Sequence, residues 1–285
     1  MEVTAMSAKS GNNGDRPTVL ITGGSKGIGL ELAKQFAMHG CNLVLAARSE
    51  TDLKHAAGQL ESETGCRVAI CPLDLNADGG PTELHRQVSE RGIQVDVLVN
   101  NAGVGDVGSF AESDLNRQLD MLRLNILVMT ALTRLFLPGM IERGNGRVLN
   151  VASLAAYFAG GANWATYVAS KHYVLALTRG LARELSGSGV SITALCPGPT
   201  ATGFVTESGA GDMPIYKWLP RLSPSKVAEA GYRATMAGRT TATPGLLNKT
   251  LAFLGELPPR SIAQSVFGFL SRNPPPRSTG TGRVS

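Results

Sequence analysis

Short apolar runs alternate with stretches of helical periodicity along most of this chain, and that alternation limits the folds open to it. The runs cover residues 18–22, 42–47, 67–73, 96–100, 147–152 and 191–195. They are rich in Val, Leu and Ile without regular polar alternation, as expected of strands covered on both faces. Between them, helical spacing predicts helices over 28–39, 50–63, 80–91, 114–142 and 165–186. Strand–helix alternation of this kind predicts one α/β domain, a doubly wound parallel sheet with helices on both faces. Local signals mark the ends. Gly40 and Gly144 are C-cap candidates, Asp114 is an N-cap candidate, and Pro138 predicts a kink or early end in the fifth helix.

Composition removes several function classes. The net charge of +5 over 285 residues is modest, and Lys and Arg form no run with interleaved aromatics, so nucleic acid is not an expected partner. Four cysteines (Cys41, Cys66, Cys71, Cys196) include no Cys-x-x-Cys pair and no zinc-spaced histidine, which predicts buried thiols and no metal. A Cys66–Cys71 disulfide is the less favoured alternative. Residues 1–16 are polar and small, and no signal-peptide core stands there. No apolar run reaches the ~20 residues of a membrane span. These features predict a cytoplasmic protein with a flexible N-terminus and a disordered tail over 273–285.

Directly after the first strand stands Thr22-Gly-Gly-Ser-Lys-Gly-Ile-Gly29, with glycines at Gly23, Gly27 and Gly29. A strand before and a helix after give this turn the context of a pyrophosphate cradle, in which backbone N–H groups and the helix N-terminus face the anion. An acid at the end of the second strand would bind ribose hydroxyls, but Ala47-Arg48 stands there. Arg48 and Lys26 together suit a 2′-phosphate and predict NADP(H) over NAD(H).

Tyr167 and Lys171 are four apart on a predicted helix, which puts a phenol beside an ammonium. A nearby cation lowers a tyrosine pKa toward the range a general acid/base needs.

With these motifs goes an ordered set: Asp74-Leu75 after the third strand, Asn100-Asn-Ala-Gly103 after the fourth, Asn125, Ser153, and Cys196-Pro-Gly198 followed by Thr200 and Thr202. Over residues 17–245 the chain resembles the short-chain dehydrogenase/reductase family, Tyr-x-x-x-Lys type. The resemblance implies a Rossmann-type sheet of about seven strands. It implies catalytic roles for Asn125 (anchoring a relay water), Ser153 (a donor to the substrate oxygen), Tyr167 (the proton donor) and Lys171 (lowering the tyrosine pKa and holding the nicotinamide ribose). Gly23, Ser25, Lys26, Gly27, Ile28, Gly29, Arg48, Asp74, Leu75, Asn101, Ala102, Gly103, Tyr167, Lys171, Pro197, Gly198, Thr200 and Thr202 would form the cofactor site.

Residues 204–222 mix glycine, proline and aromatics, as a substrate lid would. Phe204 on this lid and Tyr157 and Trp164 opposite it, with Ser153, are the substrate-site candidates, and they suggest a bulky, largely apolar carbonyl compound. The family's dimer faces, helices 114–136 and 165–186, imply a homodimer or homotetramer, with Val174, Leu177, Leu181 and Leu185 forming a stripe. Residues 246–272 read as a helical extension that covers the cleft or packs on the core, the alternative being a partner or peripheral membrane face. The function expected is NADPH-dependent reduction of a ketone or aldehyde. The alternatives are an alcohol dehydrogenase working oxidatively and a non-catalytic NADP(H)-binding regulator.

Overall fold

In a computed structural model, residues 16–257 are described. They form a seven-stranded, all-parallel sheet in the order β3-β2-β1-β4-β5-β6-β7. The strands are β1 (Thr18–Thr22), β2 (Asn42–Ala47), β3 (Val68–Pro72), β4 (Val97–Asn100), β5 (Gly146–Val151), β6 (Val190–Leu195) and the two-residue β7 (Thr241–Ala242). Leu20 pairs with Val44 on one side and Leu98 on the other, so β1 is the central rail. Its side chains divide between the faces. Val19 and Ile21 enter one apolar cluster with Leu32 and Phe36 of α1 (Gly27–Met38) and Val227 of α9 (Pro224–Met236). Leu20 enters the other, with Leu84 of α3 (Gly80–Glu90) and Leu132 of α5 (Met129–Glu142). Burying both faces requires the continuous apolar runs seen in the sequence. Each fully buried Leu or Phe contributes about 1.5–3 kcal/mol.

The remaining helices are α2 (Glu50–Thr64), α4 (Leu115–Leu122), α6 (Ala165–Glu184), α7 (Phe204–Glu207), α8 (Pro214–Trp218) and α10 (Leu246–Glu256). The chain leaves β1 toward β2 on one side, and β4 lies on the other. A crevice therefore opens at the C-terminal ends of β1 and β4, where such sheets bind ligands.

Local signals held with one exception. The Asp114 carboxylate accepts from the Asn116 and Arg117 amides at 2.7 and 3.1 Å, and Gly40 and Gly144 adopt positive φ. The exception is Pro138, which neither ends nor displaces the helix end: α5 runs through it to Glu142. The irregularity of this long helix lies upstream, in a π-helical stretch Arg123–Val128 that contains Asn125. By length and composition the whole helical stretch 115–142 could cross a membrane, but it packs Met121, Val128, Leu132, Phe136 and Met140 into the core. The four cysteines are free and buried, so Cys66 and Cys71 do not pair. The expected second half of the extension, the tail and residues 1–15 lie outside the described residues.

Candidate active site

The crevice at the β1/β4 switch is a cleft of about 790 Å3. The Gly-rich turn and Arg48 line one end; Ser153, Tyr167 and Lys171 line the other. Asp74, Leu75, Asn101, Ala102, Gly103, Pro197, Gly198, Thr200 and Thr202 complete its wall, together with Ser25, Lys26 and Ile28. Of the proposed site residues, all but Tyr157, Gly29 and Asn125 border this one space.

The turn is held by short backbone contacts. A side chain on Gly29 would place its first carbon 2.2 Å from the Gly23 carbonyl oxygen, so only glycine lets α1 start this close to β1. Gly27 has φ +60, and the space beside its α-carbon is open apart from Thr202. Asn101 fixes the turn from β4: its side-chain amide donates to the Thr22 and Gly23 carbonyls at 2.9 and 3.2 Å. The Thr22 hydroxyl in turn accepts from the Asn101 and Ala102 amides, both at 3.0 Å. Asn101 thus shapes the cradle rather than pointing at a ligand. Asp74 borders the cleft with its carboxylate accepting from the Asn76 amide at 2.9 Å. The first turn of α1 has no side-chain cap and no acid, which leaves its N–H groups for an anion.

At the other end, Tyr167 and Lys171 lie one turn apart on α6, both buried. The Lys171 ammonium donates to the Val151 carbonyl at 3.0 Å and lies 5.7 Å from the centre of the Tyr167 ring. Among the described residues it has no carboxylate partner, and burial lowers its pKa to about 8. Burial pushes the Tyr167 phenol up to about 12, with a hydrogen bond from Ser153 pulling the other way. The expectation that Lys171 depresses the tyrosine is therefore corrected for this state of the protein: burial raises the phenol, and the group that lowers it is Ser153, not Lys171. Ser153 also caps the turn Leu154–Tyr157, accepting from the Ala155 amide at 3.1 Å.

Asn125 acts through its side chain. Its oxygen accepts from the Val104 amide at 3.0 Å, and its amide donates to the Val104 carbonyl at 2.9 Å and the Ser170 hydroxyl at 3.1 Å. It clamps the loop after β4 onto α6 beside Lys171. The π-helical register presents the side chain there.

The aromatic wall differs from expectation in one residue. Trp164 stacks on Tyr167 with ring centres 4.6 Å apart, and Phe204 meets it at 5.6 Å. Tyr216 is buried against Trp164, while Trp218 is exposed. Tyr157 is not on the cleft. It packs beneath α10, its hydroxyl 3.3 Å from that of Thr243 and its ring under the Arg179 guanidinium. The cause is α10, whose Gly255 sits so tightly on the Tyr157 carbonyl that a side chain there would come within 2.6 Å. An Arg179–Glu256 ion pair at 2.5 Å closes this contact. The described part of the extension, residues 246–257, therefore packs on the core, and none of it lines the cleft.

Sequence reasoning missed three groups. Asp52, in the first turn of α2, lies 3.7 Å from Lys26 and lines the cleft; its place three residues after a helix cap was the available signal. Asp106 and Arg117, paired at 3.0 Å, also border the cleft, and nothing in the sequence joins them. Asn248 of α10, buried against Gly198, supports the loop after β6. The stripe read as a dimer face is largely spent on the core: Val174 and Leu185 are buried and Leu177 and Leu181 pack against it.

The sequence model of the short chain dehydrogenase family matches residues 17–212. A ketoacyl reductase, HetN, of Nostoc sp. is 32% identical over 257 residues, 86% of each chain. A short-chain dehydrogenase from Sphingobium yanoikuyae, solved in complex with NADPH, superimposes with a TM-score of 0.75 at 29% identity, covering 84% of this chain and 92% of that one. A short chain dehydrogenase/reductase from Burkholderia phymatum, solved in complex with NAD, gives 0.76 at 25% identity, over 84% and 92%. The chain belongs to the short chain dehydrogenase family. It is an oxidoreductase with a Rossmann-type fold built for a nicotinamide cofactor.

Proposed function

We propose that this chain is an NADPH-dependent reductase of bulky, largely apolar ketones or aldehydes, with Tyr167 as the proton donor. The observation that carries the reading is the pairing at the buried end of the cleft. A phenol held protonated by burial and a serine hydroxyl face the same space, beside an ammonium with no carboxylate partner among the described residues.

The residues present fit a dinucleotide: the Gly29 contact and the uncapped first turn of α1 form a cradle for phosphates, and the cleft runs unbroken from there to Tyr167. When bound, the cofactor supplies the hydride for the carbonyl carbon. Ser153 donates a hydrogen bond to the carbonyl oxygen, and Tyr167 transfers its proton there, so that C=O becomes CH–OH. Lys171 holds positive charge next to the phenolate left on Tyr167 and orients the cofactor ribose. Asn125, through Val104 and Ser170, keeps the wall on which this depends. The raised tyrosine pKa favours reduction: the acid form needed to protonate an alkoxide is the resting form, whereas oxidation starts from the phenolate.

Lys26 and Arg48 support NADPH, since both border the cleft at the ribose end and an acid does not stand at the end of β2. Initial rates with a panel of bulky ketones and 3-oxoacyl thioesters should show kcat/KM at least about tenfold higher with NADPH than with NADH. Lys26→Ala with Arg48→Ala should bring the two close to equal. Equal use of both cofactors by the unmodified protein would defeat the assignment. No oxidation of NADPH by any carbonyl, with tight NADPH binding, would favour a non-catalytic role.

The protein is proposed to work as a cytoplasmic homo-oligomer, its dimer formed through α4, α5 and α6. Leu115, Leu119 and Leu127 are exposed on that side, beside Tyr173. A mass in solution equal to one chain would refute it.

A further inference from the structure

Behind the aromatic wall lies a second space of about 20 Å3, lined by Asp106, Gly108, Gln118, Asn163 and Trp164 among others. A single water needs roughly 10–15 Å3 or more and two to four polar partners. Two buried side chains on this space carry polar atoms with no partner among the described residues: the Trp164 indole N–H, a donor, and the Gln118 Oε1, an acceptor. Trp164 is 3% exposed and Gln118 8%. Left unsatisfied, either atom would keep the full penalty of desolvation with nothing to offset it.

The orientation of the glutamine is not arbitrary. Its Nε2 donates to Asp106 Oδ2 at 2.7 Å, and Asp106 is itself ion-paired with Arg117. Turning the amide over would set two acceptors against each other, so Oε1 is committed to the free side. Trp164 is aimed with equal care. Asn163, before it, has φ +61, the sole non-glycine positive φ among the described residues, and its carbonyl accepts from the Gly108 amide at 2.9 Å. A left-handed residue held by a loop on the opposite wall marks a position that the surroundings enforce.

We propose that one ordered water occupies this space, accepting from Trp164 Nε1–H and donating to Gln118 Oε1, and that Trp164 so held is a positioning residue for Tyr167. The indole lies against the phenol with an interplanar angle of 19°. Fixing its plane fixes the direction in which the tyrosine hydroxyl points, and the water ties that plane to Gln118 of α4. The catalytic part of this inference rests on Tyr167 as proton donor; the water does not.

The test uses the full chain, with Trp164→Phe, Gln118→Leu and the double variant, and NADPH as the cofactor. A high-resolution crystal structure of the unmodified protein should show a water bonded to both atoms, lost in Gln118→Leu with a changed Trp164 ring. Each single variant should lower kcat about fivefold to tenfold, leave KM for NADPH unchanged and shift the pH profile of kcat. The double variant should be no worse than either single one, since both break the same link. Density showing no water would overturn the inference, as would a wild-type kcat and pH profile in Gln118→Leu or additive losses in the double variant. If Tyr167→Phe retained activity, the proton-donor reading would fall while the crystallographic result still decided the water.

Discussion

Around Gly23–Gly29 the surface offered to a ligand is backbone, set by glycines and by one asparagine that braces the turn from the next strand. Around Tyr167 it is side chain: Trp164 stands at the start of α6, Phe204 and Tyr216 come from the 204–222 segment, and the hydrogen-bonded Asp106 and Gln118 share a small space with Trp164. The two ends also differ in charge. The cofactor end carries exposed Lys26 beside Asp52, in high dielectric, where pairing is weak. The other end holds an ammonium away from water, where every contact counts for more. The first end can recognise an anion without being fine-tuned. The second must keep a few groups in place in order to react, and pays for it in stability.

Tyr167→Phe sharpens this contrast most. It removes one oxygen at the reacting end and leaves the phosphate cradle untouched, so kcat should fall by about 10²–10⁴. The Kd for NADPH, read by fluorescence titration, should change less than about threefold. A variant that lost cofactor binding as well would show that the two ends are not separable.

Gly29→Ala is the mirror-image change. The new methyl carbon would meet the Gly23 carbonyl at 2.2 Å, backbone against backbone, with no flexible side chain to yield. The turn must open, and NADPH affinity should fall about 100-fold, with a lowered Tm, as overpacking costs about 1–3 kcal/mol or more. Unchanged NADPH affinity would remove the cradle from the argument.

The same contrast explains what could be read from the sequence. The cradle depends on consecutive residues, Thr22 to Gly29, flanked by a strand and a helix, so it was visible as a motif. The first six strands followed from their unbroken apolar runs, because both sheet faces are buried, and the helices between them from their period; α9 and β7, at the edge of the sheet, carried neither signal strongly enough to be read. Tyr157 was misplaced because nothing local tells that α10, almost a hundred residues on, will cover it. Asp106, Arg117 and Gln118 were missed because their meaning exists only after α4 packs beside the loop that follows β4. The lowered Lys171 and raised Tyr167 also depend on burial, which spacing does not report. Pro138 was over-read: the helix established on either side carries it through.

The smallest predicted effect concerns that buried ammonium. In the folded protein Lys171 releases its proton near pH 8, against 10.5 for a free lysine. Below pH 8 folded and unfolded chains both hold the proton, and stability does not vary with pH through this group. Between about pH 8 and 10.5 the unfolded chain still holds it and the folded chain does not, so the unfolded chain binds more protons and stability rises with pH. Above 10.5 the slope vanishes again. Lys171→Met should therefore be more stable than the unmodified protein at pH 7, by on the order of 2 kcal/mol, because no charge is buried. The margin should shrink steadily from pH 8 to 10 in denaturant titrations. Comparing the two proteins cancels the buried thiol Cys41, pushed up to about 11, which titrates in the upper part of the same window; Cys196 is coupled to Lys171, and losing the lysine raises its thiol further, which shrinks the margin in the same direction. A margin constant from pH 7 to 10 would mean that Lys171 is not desolvated in the folded chain. The ends of the cleft would then differ in shape alone, and the cost assigned to the reacting end would be gone.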